Sequence, residues 1–167
     1  MTIDLDLEFL QDSSTLVDSL LARVERLASN ANVDPEAIHA RIEYLTGRGF
    51  VSCQEYIIRV RVREGVLHKH AMSFGPVHSC GVPVAKIVHE AGIYQKHHSA
   101  WEGANAERFG KATRETLMRL GVDIGQPYVM THVLVDLLSS LPQRFESLIP
   151  FLQQWRDALL RSKHVPR

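Results

Sequence analysis

Apolar residues recur at two different spacings along this chain. Leu16, Val17, Leu20, Leu21, Val24, Leu27 and Ala28 return every three or four positions, which lays a stripe along one side of a helix. Asp12, Ser13, Ser14 and Thr15 offer capping oxygens just before that stripe, so the pattern predicts a helix over residues 14–29. A second helix is announced by Asp34-Pro35-Glu36, which combines a capping carboxylate, a proline at the first helical position and an acid in the first turn. Ile38, Ile42 and Leu45 form its stripe, and Gly47-Arg48-Gly49 is expected to end it near Thr46, with residues 50–53 resuming as extended chain.

The spacing then changes. Over residues 56–63, Tyr-Ile-Ile-Arg-Val-Arg-Val-Arg, apolar and basic positions alternate, the period of a half-buried strand. Glu64-Gly65 follows as a two-residue turn, and Val66 onward reads as the return strand of a hairpin. In that register Ile58, Val60, Val62, Leu67 and Ala71 share one face, and Arg59, Arg61, Arg63, His68 and His70 share the other.

Helical spacing resumes after the Gly75-Pro76 break. Pro83 opens a short helix with Val84, Ile87, Val88 and Ala91 as its stripe and Gly92 as its end. Ser99 with Glu102 fits a capping box, and Trp101, Ala104, Phe109, Ala112, Leu117 and Leu120 carry a further helix to Gly121, weakened by Gly103 and Gly110. Pro127 begins another through Leu141, with Val129, Val133, Leu134, Leu137 and Leu138 inward. Phe145, Leu148, Ile149, Leu152, Trp155, Leu159 and Leu160 lie close to a heptad seam, which points to a helical hairpin or a homodimer contact through the C-terminal helices.

These elements predict an α+β fold that is mainly helical: N-terminal helices and a β-hairpin followed by a C-terminal helical bundle. The first half resembles a winged helix in layout, with Arg63-Glu64-Gly65-Val66 as the wing tip, though no sequence signature of that class is present. The length of 167 residues suits one domain over 1–167, with a possible division into a helix-helix-hairpin unit over 1–76 and a helical unit over 77–167.

Composition narrows the setting. The chain is 45% hydrophobic and 23% charged, and 19 basic residues balance 19 acidic ones, so no whole-molecule field favours nucleic acid or an anionic membrane. Charge is nevertheless unevenly placed. Asp4, Asp6, Glu8, Asp12 and Asp18 stand in a stretch without lysine or arginine, and could neutralise the arginines of the hairpin within one molecule or between two. Cys53 and Cys80 are too few for a disulfide framework, no leader pattern precedes the acidic N-terminus, and a reducing cytoplasm is expected. The most apolar late run is broken by Thr131, His132 and Asp136, so no membrane span is expected.

Three kinds of chemistry follow from the residue types. Arg59, Arg61 and Arg63 on one strand face would stand about 7 Å apart, comparable with phosphate spacing, and with His68 and His70 would make a surface for nucleic acid or another anionic partner. Their plainer reading is a solvated strand face paired to acids. Histidines at 68, 70, 78, 89, 97 and 98 and Cys80 are good ligands for a divalent metal such as zinc, with His68, His70, His78, Cys80 and His89 as the candidate set. Their spacing matches no zinc signature, and surface histidines are the plainer reading. Cys80 before a helix start, with His78 or His89 as base, outlines a thiol nucleophile, while Cys53 reads as a small core residue. The function expected first is a small cytoplasmic regulatory or binding protein that contacts nucleic acid or an anionic protein through its Arg/His hairpin. The alternatives are a metal-dependent enzyme built on the histidines between His68 and His98, and a protein-interaction adaptor.

Overall fold

The computed structural model describes residues 4–29, 32–101 and 110–163. Helix α1 spans Leu5–Ala28 and starts well before the Asp-Ser-Ser-Thr cluster, because Asp4 supplies the cap by accepting from the Leu7 amide at 3.3 Å. Ser14 is turned inward instead of capping: it is buried on the same stripe as Leu10, Val17, Leu21 and Val24.

Helix α2 spans Pro35–Arg63 and begins where the sequence says, with Asp34 accepting from the Glu36 amide at 3.1 Å. It does not stop at Thr46. Gly47 and Gly49 are interior helical positions chosen for close approach: a Cβ on Gly47 would overlap the Gln95 side chain, and one on Gly49 would overlap the Phe145 ring. The expected hairpin and its winged-helix layout are therefore overturned, since Tyr56 to Arg63 continue α2 and no strand forms among the described residues. An isolated bridge between Val77 and Pro83 is the extended pairing present there. The reason is tertiary. Phe50, Cys53, Tyr56, Ile57 and Val60 are buried at helical spacing, and burying that stripe outweighs the strand preference of the alternating Val and Ile residues. The turn itself is where it was expected, but it ends a helix: Gly65 adopts φ 64° and the Val66 amide donates to Arg61 O at 3.1 Å.

The chain continues through α3 (His68–Ala71), α4 (Val84–His97), a 3₁₀ turn (His98–Trp101), α5 (Lys111–Leu120), α6 (Val129–Leu137), a 3₁₀ turn (Phe145–Leu148) and α7 (Ile149–Lys163). Of the helix expected between Ser99 and Leu120, the part holding Glu102, Gly103, Ala104 and Phe109 lies outside the described residues. Helix α4 runs past Gly92, which lies against the Gln54 side chain instead of ending the helix.

Helices α1, α4 and α6 pack on α2, α5 and α7 pack on α4, and the second 3₁₀ turn packs on α1. One hydrophobic cluster joins Leu10, Phe50, Ile57, Ile87, Leu134 and Trp155, and so draws on both sides of residue 76. Phe50 meets Phe145 edge-on at 5.2 Å between ring centroids, and Trp155 Nε1 donates to Ala71 O at 2.8 Å. The seam residues Phe145, Leu148, Leu152, Trp155 and Leu159 are fully buried in this core. No helix among the described residues is long and apolar enough to cross a membrane.

Candidate metal centre

The end of α2 determines where His68 stands. The Arg61 guanidinium donates to Val66 O at 3.3 Å across the turn, and α3 opens directly afterwards with His68 as its first residue. The Trp155 indole holds Ala71 at the other end of α3. Opposite His68 lies the middle of α4, where Val84, Ala85, Ile87, Val88 and Ala91 form a buried apolar face. His89 and Glu90 interrupt that run and are themselves buried, at 7% and 5% exposure.

His68, His89 and Glu90 each offer one ligand atom, and these three atoms lie within 4.8 Å of one another. The imidazoles of His68 and His89 meet at 4.7 Å between centroids with planes inclined by 48°. Neighbouring helical residues point about 100° apart, so His89 and Glu90 cannot share one face, and the space between their side chains is where His68 reaches in. Ligand atoms around a tetrahedral ion bound at about 2.1 Å stand roughly 3.4 Å apart. The exposed His68, on a helix of one turn, is the side chain with room to close that difference.

The surroundings prepare each group as a ligand. Burial, and then the nearby charges of His68, Arg61 and Lys96, push the His89 imidazole down to about 4, so at neutral pH it carries a lone pair instead of a charge. Its Nδ1 is buried and has no hydrogen-bond partner. Thr113 of α5 donates to Glu90 Oε2 at 2.6 Å, the kind of outer contact that orients a ligating carboxylate. Among the described residues Glu90 makes no ion pair, an unusual condition for a carboxylate this deeply buried. Gln54 of α2 donates to the His89 carbonyl at 3.2 Å and fixes α4 against α2 at this level. A cavity of about 460 Å³ opens beside the cluster, lined by His68, Glu90, Met72 and Ser73 with Lys69 and Lys86.

The other expected ligands stand elsewhere. His70 packs edge-on against Phe74 at 4.7 Å, and His98 stacks on Tyr94 at 5.1 Å. His78 and Cys80 belong to the loop bridged by Val77 and Pro83, where the Cys80 amide donates to His78 Nδ1 at 3.3 Å. That hydrogen bond occupies His78 Nδ1 with a backbone donor, which takes that nitrogen away from service as a base for the thiol. The Cys53 thiol is buried and pushed up to about 12, as suits an inert core residue.

The row of three arginines does not form either. On a helix Arg59 and Arg63 share a side and Arg61 points away from them. Arg63 contacts Asp6 at 2.8 Å and Asp4 at 3.6 Å, while Arg59 lies 3.7 Å from Asp6 and over the Phe9 ring at 5.0 Å. The acidic arm thus meets these arginines within one chain, and the phosphate-like spacing of the strand reading is absent.

Glu90 is the residue that sequence reasoning missed as a ligand. Its signal was present: a carboxylate between Val88 and Ala91 in an apolar stripe is costly unless something pairs with it. Comparisons with protein-family models, with curated proteins and with solved structures returned no match, so the site is read from its own residues.

Proposed function

We propose that this chain is a metal-binding protein that holds a divalent ion of the zinc class between His68, His89 and Glu90, in a reducing compartment such as the cytoplasm. The observation that carries the reading is the convergence of two imidazoles and an oriented, otherwise unpaired buried carboxylate within 4.8 Å. Two nitrogens and one oxygen are a ligand set that zinc and its neighbours accept, and three protein ligands leave a position for water or substrate. That position lies toward the 460 Å³ cavity, and Lys69 and Lys86 on its lining favour an anionic occupant. An ion so placed would act as a Lewis acid and lower the pKa of bound water, the chemistry of metal-assisted hydrolysis. Two free cysteines, one of them buried, accord with a reducing setting.

Elemental analysis of protein prepared without a histidine tag tests the reading. About one equivalent of metal per chain is expected, lost in His89→Ala and in Glu90→Gln while helical content is retained. Protein that emerges metal-free from metal-replete growth and gives no visible absorption with added cobalt(II) would overturn it.

A further inference from the structure

One turn beyond Glu90, toward the C-terminal end of α4, a second cavity has a different chemistry. It measures about 410 Å³, and its walls include Tyr44 of α2, Tyr94 of α4 and Tyr128 just before α6, together with His98 and Glu43. Among the described residues no lysine or arginine lines it. The volume is that of a small-molecule site, and tyrosine faces present negative quadrupole potential.

Tyr128 is the informative residue. It is the one non-glycine residue with positive φ among the described residues, at φ 59° and ψ 43°. An aromatic side chain gains nothing from that conformation, and such strain persists only where the surroundings hold it. Here they do. The Tyr128 hydroxyl donates to Glu36 Oε1 at 2.5 Å, and the His39 ring packs at 5.4 Å from the Tyr128 ring. Tyr128 also gives α6 no side-chain cap; Glu43 reaches across from α2 and accepts from the Met130 and Thr131 amides at 2.7 and 2.9 Å. The helix N-terminus is thereby taken by protein, which leaves no amide cradle for an anion. What remains is a lining of three tyrosines, each with a ring or cation on one side (His98 on Tyr94, Arg41 on Tyr44, His39 on Tyr128), with Glu43 in the wall and Glu36 on the Tyr128 hydroxyl. Consistent with that field, the Tyr128 hydroxyl is raised by its hydrogen bond to Glu36, and Tyr94 is raised by burial and then by Glu43.

We infer that the Tyr44-Tyr94-Tyr128 cavity is a binding site for a quaternary ammonium group, held by cation–π contact with the tyrosines and by the charge of Glu43 and Glu36. This site stands apart from the metal centre and does not depend on it. Tyr128 lines the cavity from this strained backbone, and Arg41, 5.7 Å from the Tyr44 ring centroid, already uses the same attraction.

Titration by calorimetry or NMR with tetramethylammonium tests the inference, beside the uncharged isostere 3,3-dimethylbutan-1-ol. The cation should bind saturably and at least about tenfold more tightly than the isostere, a ratio set by the loss of the cation–π contacts. Choline and a trimethyl-lysine peptide distinguish a free metabolite from a modified protein: saturable binding of either supports the site, and the tighter one names the source. Tyr128→Gly removes the ring and relieves the positive φ, so this variant should fold at least as stably as the parent and lose binding about tenfold or more. Tyr44→Ala, at a half-exposed position, should weaken binding in the same direction. No saturable binding of tetramethylammonium, equal binding of the isostere, or parental affinity in both variants overturns the inference.

Discussion

His68 and His89 lie on separate helices and meet ring to ring at 4.7 Å, one exposed and one buried. The contact brings an exposed ligand to a buried one. The buried side is built by α4 against α2 and α5, through Gln54 and Thr113, while the exposed side is positioned by the Arg61 turn and the Trp155 anchor.

Thr113→Val keeps the side-chain shape but removes the donor to Glu90. Metal affinity should fall about 10- to 100-fold while the metal-free protein keeps its helical content, as read by calorimetric zinc titration and circular dichroism.

In the metal-free protein the buried His89 makes stability depend on pH. The unfolded chain takes up a proton near 6.5, whereas the folded one resists until about 4. Between those values the unfolded state binds more protons, so stability is full above the upper one and is lost as pH falls toward the lower. The loss is on the order of 3 kcal/mol, and urea titrations at neutral pH and at the lower end of the window should record it. His89→Leu should flatten this part of the profile.

Trp155 couples the core to the centre, because its indole donates to Ala71 O on the helix that begins with His68. Trp155→Phe retains a ring and loses that donor, which should cost about 0.5–1.5 kcal/mol, since Ala71 O keeps only its longer hydrogen bond from the Phe74 amide at 3.5 Å. Denaturant unfolding measures the loss, and zinc affinity should fall with it as α3 loosens.

Gly49→Ala tests whether helical continuity through the glycines is a packing requirement. Alanine favours a helix by about 1 kcal/mol over glycine, yet the new Cβ would overlap the fully buried Phe145 ring. Overpacking should win, with a net destabilisation of about 1 kcal/mol or more in denaturant unfolding.

Those glycines also explain how much of the fold was legible. Asp34-Pro35-Glu36 marks the true start of α2, and the Leu and Val stripe of α1 is real, because both signals are local. The continuation of α2 is not local. Its core face passes from Leu45 to Phe50, Cys53 and Tyr56 across two glycines that look like a terminus until Gln95 and Phe145 are seen against them. The alternation of Arg59, Arg61 and Arg63 then imitates a strand, although Val62 between them is mostly exposed. The candidate ligands were legible as residue types, and both His68 and His89 stood in the candidate set. Their convergence, the exclusion of His70, His78 and Cys80, and the part taken by Glu90 all depend on helices that the strand reading had dissolved.

Zinc titration of untagged protein by calorimetry, with His89→Ala and His70→Ala in parallel, addresses the metal centre most directly. Binding of one ion per chain is predicted, weakened about a hundredfold or more by His89→Ala and unchanged by His70→Ala, whose ring packs on Phe74. Absence of binding in the parent, or an equal loss in both variants, would contradict a centre formed by His68, His89 and Glu90.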